Sequence, residues 1–316
     1  MMWIATQLTL CLCMLSGMMG VMATGKDWDM ASFYLYTPND PDNSHRLYTN
    51  DSASVIASNF DVNRPTKVII HGWSVTYLDE PVSLLRYAYL ARGQFNIIAV
   101  DWGMIAAMMY VEARPLVPGV GKSVAHFLYF LAKEFSLDLA QVVLVAHSMG
   151  AHVAGFCGKE LHTISNGRHS LGYIVALDPA LPLFLLPTES MHLASTDADY
   201  VVAIHTNGLV KGQLLPMGHS DFYANGGKRQ PGCGLDWNNS CAHARAVFLY
   251  AEAVSHVSRY SPYGHCSGYV QFLLLVGTCN GVAPESVALG DPLEVGRAKG
   301  IYSFSTNAES PYGQPF

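Results

Sequence analysis

Apolar runs of strand length recur along the chain at residues 67–70, 96–100, 142–145, 173–177 and 201–204, each closed by turn residues and followed by helical periodicity. Unbroken runs of this kind predict strands buried on both faces. Between the second and third, Val120, Val124, Phe127, Leu131 and Phe135 recur at three- and four-residue steps, which puts one apolar stripe on a crossover helix. Strand, helix, strand order predicts an α/β fold with a mostly parallel central sheet flanked by helices. Residues 33–36 and 301–305 alternate apolar and polar side chains, a pattern that predicts outer strands. No repeat, charge block or Pro/Ser linker divides the sequence, so a single domain is expected.

Composition narrows the partners. Half of the 316 residues are hydrophobic and 13% are charged, which excludes long solvated tails and favours an apolar cleft. The formal charge of -6 leaves no basic stripe to neutralise a phosphate backbone, so nucleic acid is excluded as a partner. Residues 1–23 carry no charge, contain an apolar run at 8–15 and end in Val21-Met22-Ala23, which predicts a signal peptide, a secreted extracellular protein and a mature domain over 24–316. The leader lacks a basic start, so a retained membrane anchor is the alternative.

Of seven cysteines, Cys11 and Cys13 fall in the leader, leaving an odd number for an oxidising compartment. Local pairing across short, turn-rich loops joins Cys233 with Cys241 and Cys266 with Cys279. That leaves Cys157, set among apolar neighbours in a helical pattern, as a buried thiol. Two glycosylation acceptor sequences, at 50–52 and 238–240, agree with secretion.

Candidate chemistry begins at residues 142–155, where a buried strand runs straight into a helix with Ser148 at the junction. Such a nucleophile elbow holds the serine in a strained conformation and brings strand and helix so close that the positions two before and two after must be small. Ala146 and Gly150 meet that requirement. The loosened motif alone arises by chance in roughly one chain in three of this length, so the strand-to-helix context carries the assignment. The bland alternative for Ser148 is an ordinary helix N-cap. An elbow also aims the amide of Met149 at a developing oxyanion, and the amide of Trp73, after the strand-ending His71-Gly72, is the natural second donor.

A serine hydroxyl needs an imidazole to take its proton and a carboxylate to hold that imidazole, here in the chain order serine, acid, histidine. Asp178 follows the buried run 174–177 and precedes Pro179; Asp197 is its rival. His243 follows Cys241 at the head of an apolar helix, and His205, directly after a strand, is the runner-up.

In this order the sequence carries VIIHGW at 68–73, VDW at 100–102, VAHSMGAHVAG at 145–155, ALDPA at 176–180, IHTNG at 204–208, NGG at 225–227 and CAHAR at 241–245. It resembles the pancreatic-type lipase family of secreted α/β-hydrolases over almost the whole mature chain. The resemblance implies Ser148, Asp178 and His243 as nucleophile, acid and base, Trp73 and Met149 as oxyanion donors, and a glycerolipid acyl ester as substrate. It also implies a lid closed by Cys233 and Cys241. At 234–240 this lid is far shorter than in digestive members and looks like that of the phospholipase A1 members of insect venoms, with Leu235 and Trp237 suited to a lipid surface. Digestive members continue into a C-terminal β-sandwich that this sequence lacks, so no colipase-type partner is expected. In the family's calcium loop one carboxylate position falls on Ala194 and the other on Asp197, and neither metal nor cofactor is expected.

The apolar residues Met104, Ile105, Met108, Met109 and Tyr110, and Leu181, Leu183, Phe184, Leu185 and Leu186, lie beyond strand ends, where α/β sheets place their crevices. The expected function is hydrolysis of glycerolipid esters, phospholipid or triacylglycerol, through an acyl-enzyme and at a lipid interface. The competing readings are a non-catalytic lipid carrier on the same scaffold and an esterase for small soluble esters. Oligomeric state has no sequence signature here.

Overall fold

A computed structural model describes residues 29–185, 188–256, 263–284 and 287–314. The leader, Cys11, Cys13 and Leu186 lie outside the described residues. Eleven strands form one sheet: β1 Ser32–Thr37, β2 Asp40–Leu47, β3 Thr66–Ile70, β4 Asn96–Asp101, β5 Val143–His147, β6 Tyr173–Leu177, β7 Tyr200–His205, β8 Ser220–Ala224, β9 Gly264–Cys266, β10 Gly281–Val282 and β11 Gly300–Phe304. Their order is β10-β9-β11-β8-β7-β6-β5-β3-β4-β1-β2. The seven strands from β4 to β11 pair in parallel, and antiparallel strands close both sides. The expected mostly parallel sheet is therefore what forms.

Two helices cover each face. Leu144 and Ala146 of β5 enter one core with helices α2 (Val117–Phe135) and α3 (Met149–Ile164), whereas Val143 and Val145 enter the other with α1 (Glu80–Arg92) and α4 (Ser240–Ser255). This two-sided burial explains why the central strands read as unbroken apolar runs. The stripe on α2 is buried from Val120 to Leu131, with Phe135 half-buried at the end, and Ser136 stops the helix in a left-handed conformation.

Residues 33–36 and 301–304 fall in β1 and β11, towards the two sides of the sheet, with β2 outside β1 and β9 and β10 outside β11. Strand β2 buries only Leu47 among its eight residues, so it gives no apolar signal and is held by pairing with β1. Strand β8 is the converse, polar at its start yet wholly buried, because the Ser220 hydroxyl meets that of Tyr200 at 2.9 Å and Asp221 meets His205 at 2.9 Å. Every parallel strand ends on the same edge of the sheet, and the segments after β3, β5, β6 and β7 converge there.

Candidate active site

The turn after β5 sets the geometry. Ser148 has φ 57° and ψ -123°, strained for a residue with a Cβ, between the last strand residue and the first turn of α3. Two contacts enforce it. A methyl on Gly150 would collide with the carbonyl oxygen of His71, and a methyl on Gly72 would come within 3.0 Å of Ser148 Cβ. Ala146 is wholly buried, so its extra methyl fits. The N–H of Ser148 donates to the Leu177 carbonyl at 3.0 Å, tying the turn to the end of β6.

Asp178, fully buried, leaves β6 at φ 45°. Its Oδ1 accepts the amides of Thr206 at 2.8 Å and Asn207 at 3.0 Å, both from the segment after β7. Its Oδ2 faces His243 Nδ1 at 2.5 Å. His243 Nε2 in turn lies 2.7 Å from Ser148 Oγ. Three segments far apart in sequence thus form one chain of hydrogen bonds from carboxylate to hydroxyl. A carboxylate with two fixed amide donors and one ring contact sets the tautomer: Nδ1 carries the proton and Nε2 is left to accept one.

His243 is anchored through its helix. Cys241, in the first turn of α4, is joined to Cys233, and Asp236 Oδ2 accepts the Ala242 amide at 2.8 Å. The neighbouring ring of His147 lies 4.7 Å from that of His243, and burial pushes its pKa down to about 3. It stays neutral beside the base.

Met149 opens α3, where the first amides have no intrahelical acceptor and the dipole favours negative charge. Trp73 follows Gly72 in the turn pressed against Ser148. That turn is locked by Trp102, whose indole donates to the His71 carbonyl at 2.9 Å and whose amide donates to His71 Nε2 at 3.1 Å. The indole of Trp73 donates to the Met108 carbonyl at 2.8 Å, leaving one face on a cavity of about 590 Å³ that contains Ser148 and His243.

The two apolar segments beyond the strand ends meet at this cavity. Tyr110 donates its hydroxyl to the Pro182 carbonyl at 2.8 Å, and both residues form its wall. Other members diverge: Ile105 and Phe184 are core, whereas Met104, Met109, Leu183 and Leu185 are exposed. Leu235 and Trp237 are 81% and 88% exposed and line a separate groove, so of residues 234–240 only Ser240 borders the cavity that holds Ser148.

The rivals are occupied elsewhere. Asp197 is buried against Lys159, whose ammonium reaches both carboxylate oxygens at 2.5 Å and the His192 carbonyl at 3.0 Å. His205 is buried with one nitrogen 2.8 Å from the Gln213 carbonyl and the other 2.9 Å from Asp221. Cys266 is bonded to Cys279, and Cys157 is free and buried, a setting that raises its thiol pKa well above the ordinary value. Among the lining residues that sequence reasoning missed, two carry titratable side chains, His147 and Lys211. His147 is adjacent to the serine and was legible as a neighbour; Lys211 lies in a loop with no periodicity to place it.

A family model described as Lipase matches residues 18–290. Over 204 residues the chain is 34% identical to a phospholipase A1 of Vespula vulgaris, covering 62% of this chain and 60% of that protein. It is 34% identical over 247 residues to pancreatic lipase-related protein 2 of Cavia porcellus, covering 76% of this chain and 55% of that protein. It is 33% identical over 262 residues to inactive pancreatic lipase-related protein 1 of Canis lupus familiaris, covering 76% and 54%. The chain therefore spans little more than half the length of these relatives.

Proposed function

The chain belongs to the lipase family, and from that premise we propose that it is a secreted serine carboxylic ester hydrolase acting on glycerolipids. One observation carries the reading: a hydroxyl in a strained strand-to-helix turn lies 2.7 Å from an imidazole whose other nitrogen is held by a buried carboxylate. In this reading Ser148 attacks the ester carbonyl as His243 Nε2 takes its proton. The amides of Met149 and Trp73 receive the oxyanion, each donor contributing about 3 kcal/mol to the transition state. His243 returns the proton to the departing glycerol oxygen, and water then releases the fatty acid by the same relay. Asp178 fixes the tautomer and stabilises the imidazolium without being protonated.

The apolar wall around Tyr110 and Pro182 suits an acyl chain, and the exposed Leu235 and Trp237 suit contact with a micelle, membrane or emulsion. Two disulfides support an oxidising, extracellular destination. A second reading, a scaffold that binds lipid without turnover, is favoured by the inactive relative.

Fatty acid release from phosphatidylcholine and from a triacylglycerol emulsion, with the natural chain and Ser148→Ala, separates the two. The expected result is a loss of about three orders of magnitude or more in the variant. Equal release by both proteins overturns the catalytic reading.

A further inference from the structure

Lys211 is the lysine that reaches the catalytic cavity, and no carboxylate lines that cavity. Its ammonium donates to the Ser240 hydroxyl at 2.8 Å. Ser240 opens α4 one turn before His243, so the backbone of the lysine's partner lies about 4.5 Å along the helix axis from that of the base.

The backbone at Lys211 is fixed on both sides. Its N–H donates to Asn207 Oδ1 at 3.1 Å, and its carbonyl accepts the Leu181 amide at 2.7 Å. The next residue, Gly212, packs directly on the Asp178 carboxylate, where a side chain would collide. The lysine therefore springs from the wall that holds the acid.

Among the described residues no carboxylate lies within ion-pair distance of Lys211. The carboxylate of Asp236 acts on it through space, but both its oxygens already accept the amides of Cys241 and Ala242, at 3.3 and 2.8 Å. Partial burial lowers the ammonium pKa, as expected for a cation short of compensation. Two of its three protons remain for an acceptor.

In a triacylglycerol the groups beside the scissile ester are neutral esters. In a glycerophospholipid an anionic phosphate sits on the same three-carbon unit, and Lys211 lines the same cavity as Ser148 and His243. We propose that Lys211 binds this headgroup phosphate and thereby makes glycerophospholipid the preferred substrate. The inference rests on the ester-hydrolase reading and names the substrate class within it.

The test measures kcat/KM of the natural chain, Lys211→Met and Lys211→Arg on phosphatidylcholine in neutral detergent micelles and on a triacylglycerol emulsion. The phospholipid-to-triacylglycerol ratio is expected to fall about ten-fold or more in Lys211→Met, the scale of a charge-assisted hydrogen bond, and to recover largely in Lys211→Arg. An unmoved ratio overturns the proposal while leaving the hydrolase reading standing. So does an equal fall on both substrates, which marks Lys211 as mere support for Asp178, or a natural chain that cleaves triacylglycerol alone. Failure of the natural chain to release fatty acid from either substrate removes the hydrolase reading and this one with it.

Discussion

Two buried histidine–aspartate pairs sit near the same edge of the sheet, and only one has a hydroxyl at its far end. In each, the carboxylate accepts amides from a neighbouring loop: Thr206 and Asn207 for Asp178, Met217 and Gly218 for Asp221. In each, one ring nitrogen meets that carboxylate, at 2.5 Å for His243 and 2.9 Å for His205. The other nitrogen decides the outcome. That of His205 meets a carbonyl at 2.8 Å, the ring lies flat on Tyr223, and no solvent reaches it. That of His243 meets Ser148 Oγ beside an open cavity. A carbonyl has no proton to give and cannot attack an ester, so the first pair pins a loop to the sheet while the second can activate a nucleophile.

Substituting each ring tests this contrast most strongly. His243→Ala is expected to lower ester hydrolysis by about a thousand-fold or more, and to cost less stability than the loss of His205 because the ring borders an open cavity whose water can replace it at Asp178. His205→Ala is expected to cost about 3 kcal/mol of stability in urea titration, because Asp221 is left as a buried charge without its partner, with a far smaller effect on rate. Matching rate losses in two folded variants would break the distinction.

A smaller effect is expected at Gly212, which packs on Asp178 and not on Asp221. Gly212→Ala forces the carboxylate to shift, and the displacement of His243 should lower kcat/KM by about ten- to a hundred-fold. A variant with the natural rate would show that the acid tolerates displacement.

The last expected effect is a pH dependence of stability, which leaves the catalytic contrast untouched. Burial holds His147 and His152 near pKa 3, and His152 is fixed as the neutral ring by donating to the Ala180 carbonyl at 2.8 Å and accepting the Leu193 amide at 3.1 Å. Unfolding restores both to their ordinary value of 6.5, so between pH 6.5 and 3 the unfolded chain takes up protons that the folded chain refuses. Stability is therefore lost as pH falls through that window, by up to about 1.4 kcal/mol per pH unit for each ring. Urea midpoints from pH 7 to pH 5 measure the slope, and His152→Leu should reduce it; an undiminished slope would assign the protons elsewhere.

Much of this was legible because burial and spacing write themselves into residue choice. The runs at 67–70, 96–100, 142–145, 173–177 and 201–204 all mark parallel strands of the sheet, since burial on both faces selects apolar side chains, with Lys67 and Asn96 at two strand starts paired to Asp291 and to the Asp61 and Arg64 carbonyls. Ser148 was legible because its turn tolerates only small neighbours. Strand β2 was not, because an edge strand is held by backbone pairing that leaves no mark on its side chains. Nor was Lys211: besides Asn207 in its own loop, its place depends on Leu181 and Ser240, two partners on separate segments that only the folded chain brings together.

The central claim is that Ser148 is an activated nucleophile, and covalent labelling tests it most directly. Incubation with an aryl dialkyl phosphate, which traps activated serines as a stable phosphoester, followed by peptide mass spectrometry, should place a single adduct on Ser148. Labelling and esterase activity should be lost together in His243→Ala. An active protein with no adduct, or with the adduct on another serine, contradicts the account.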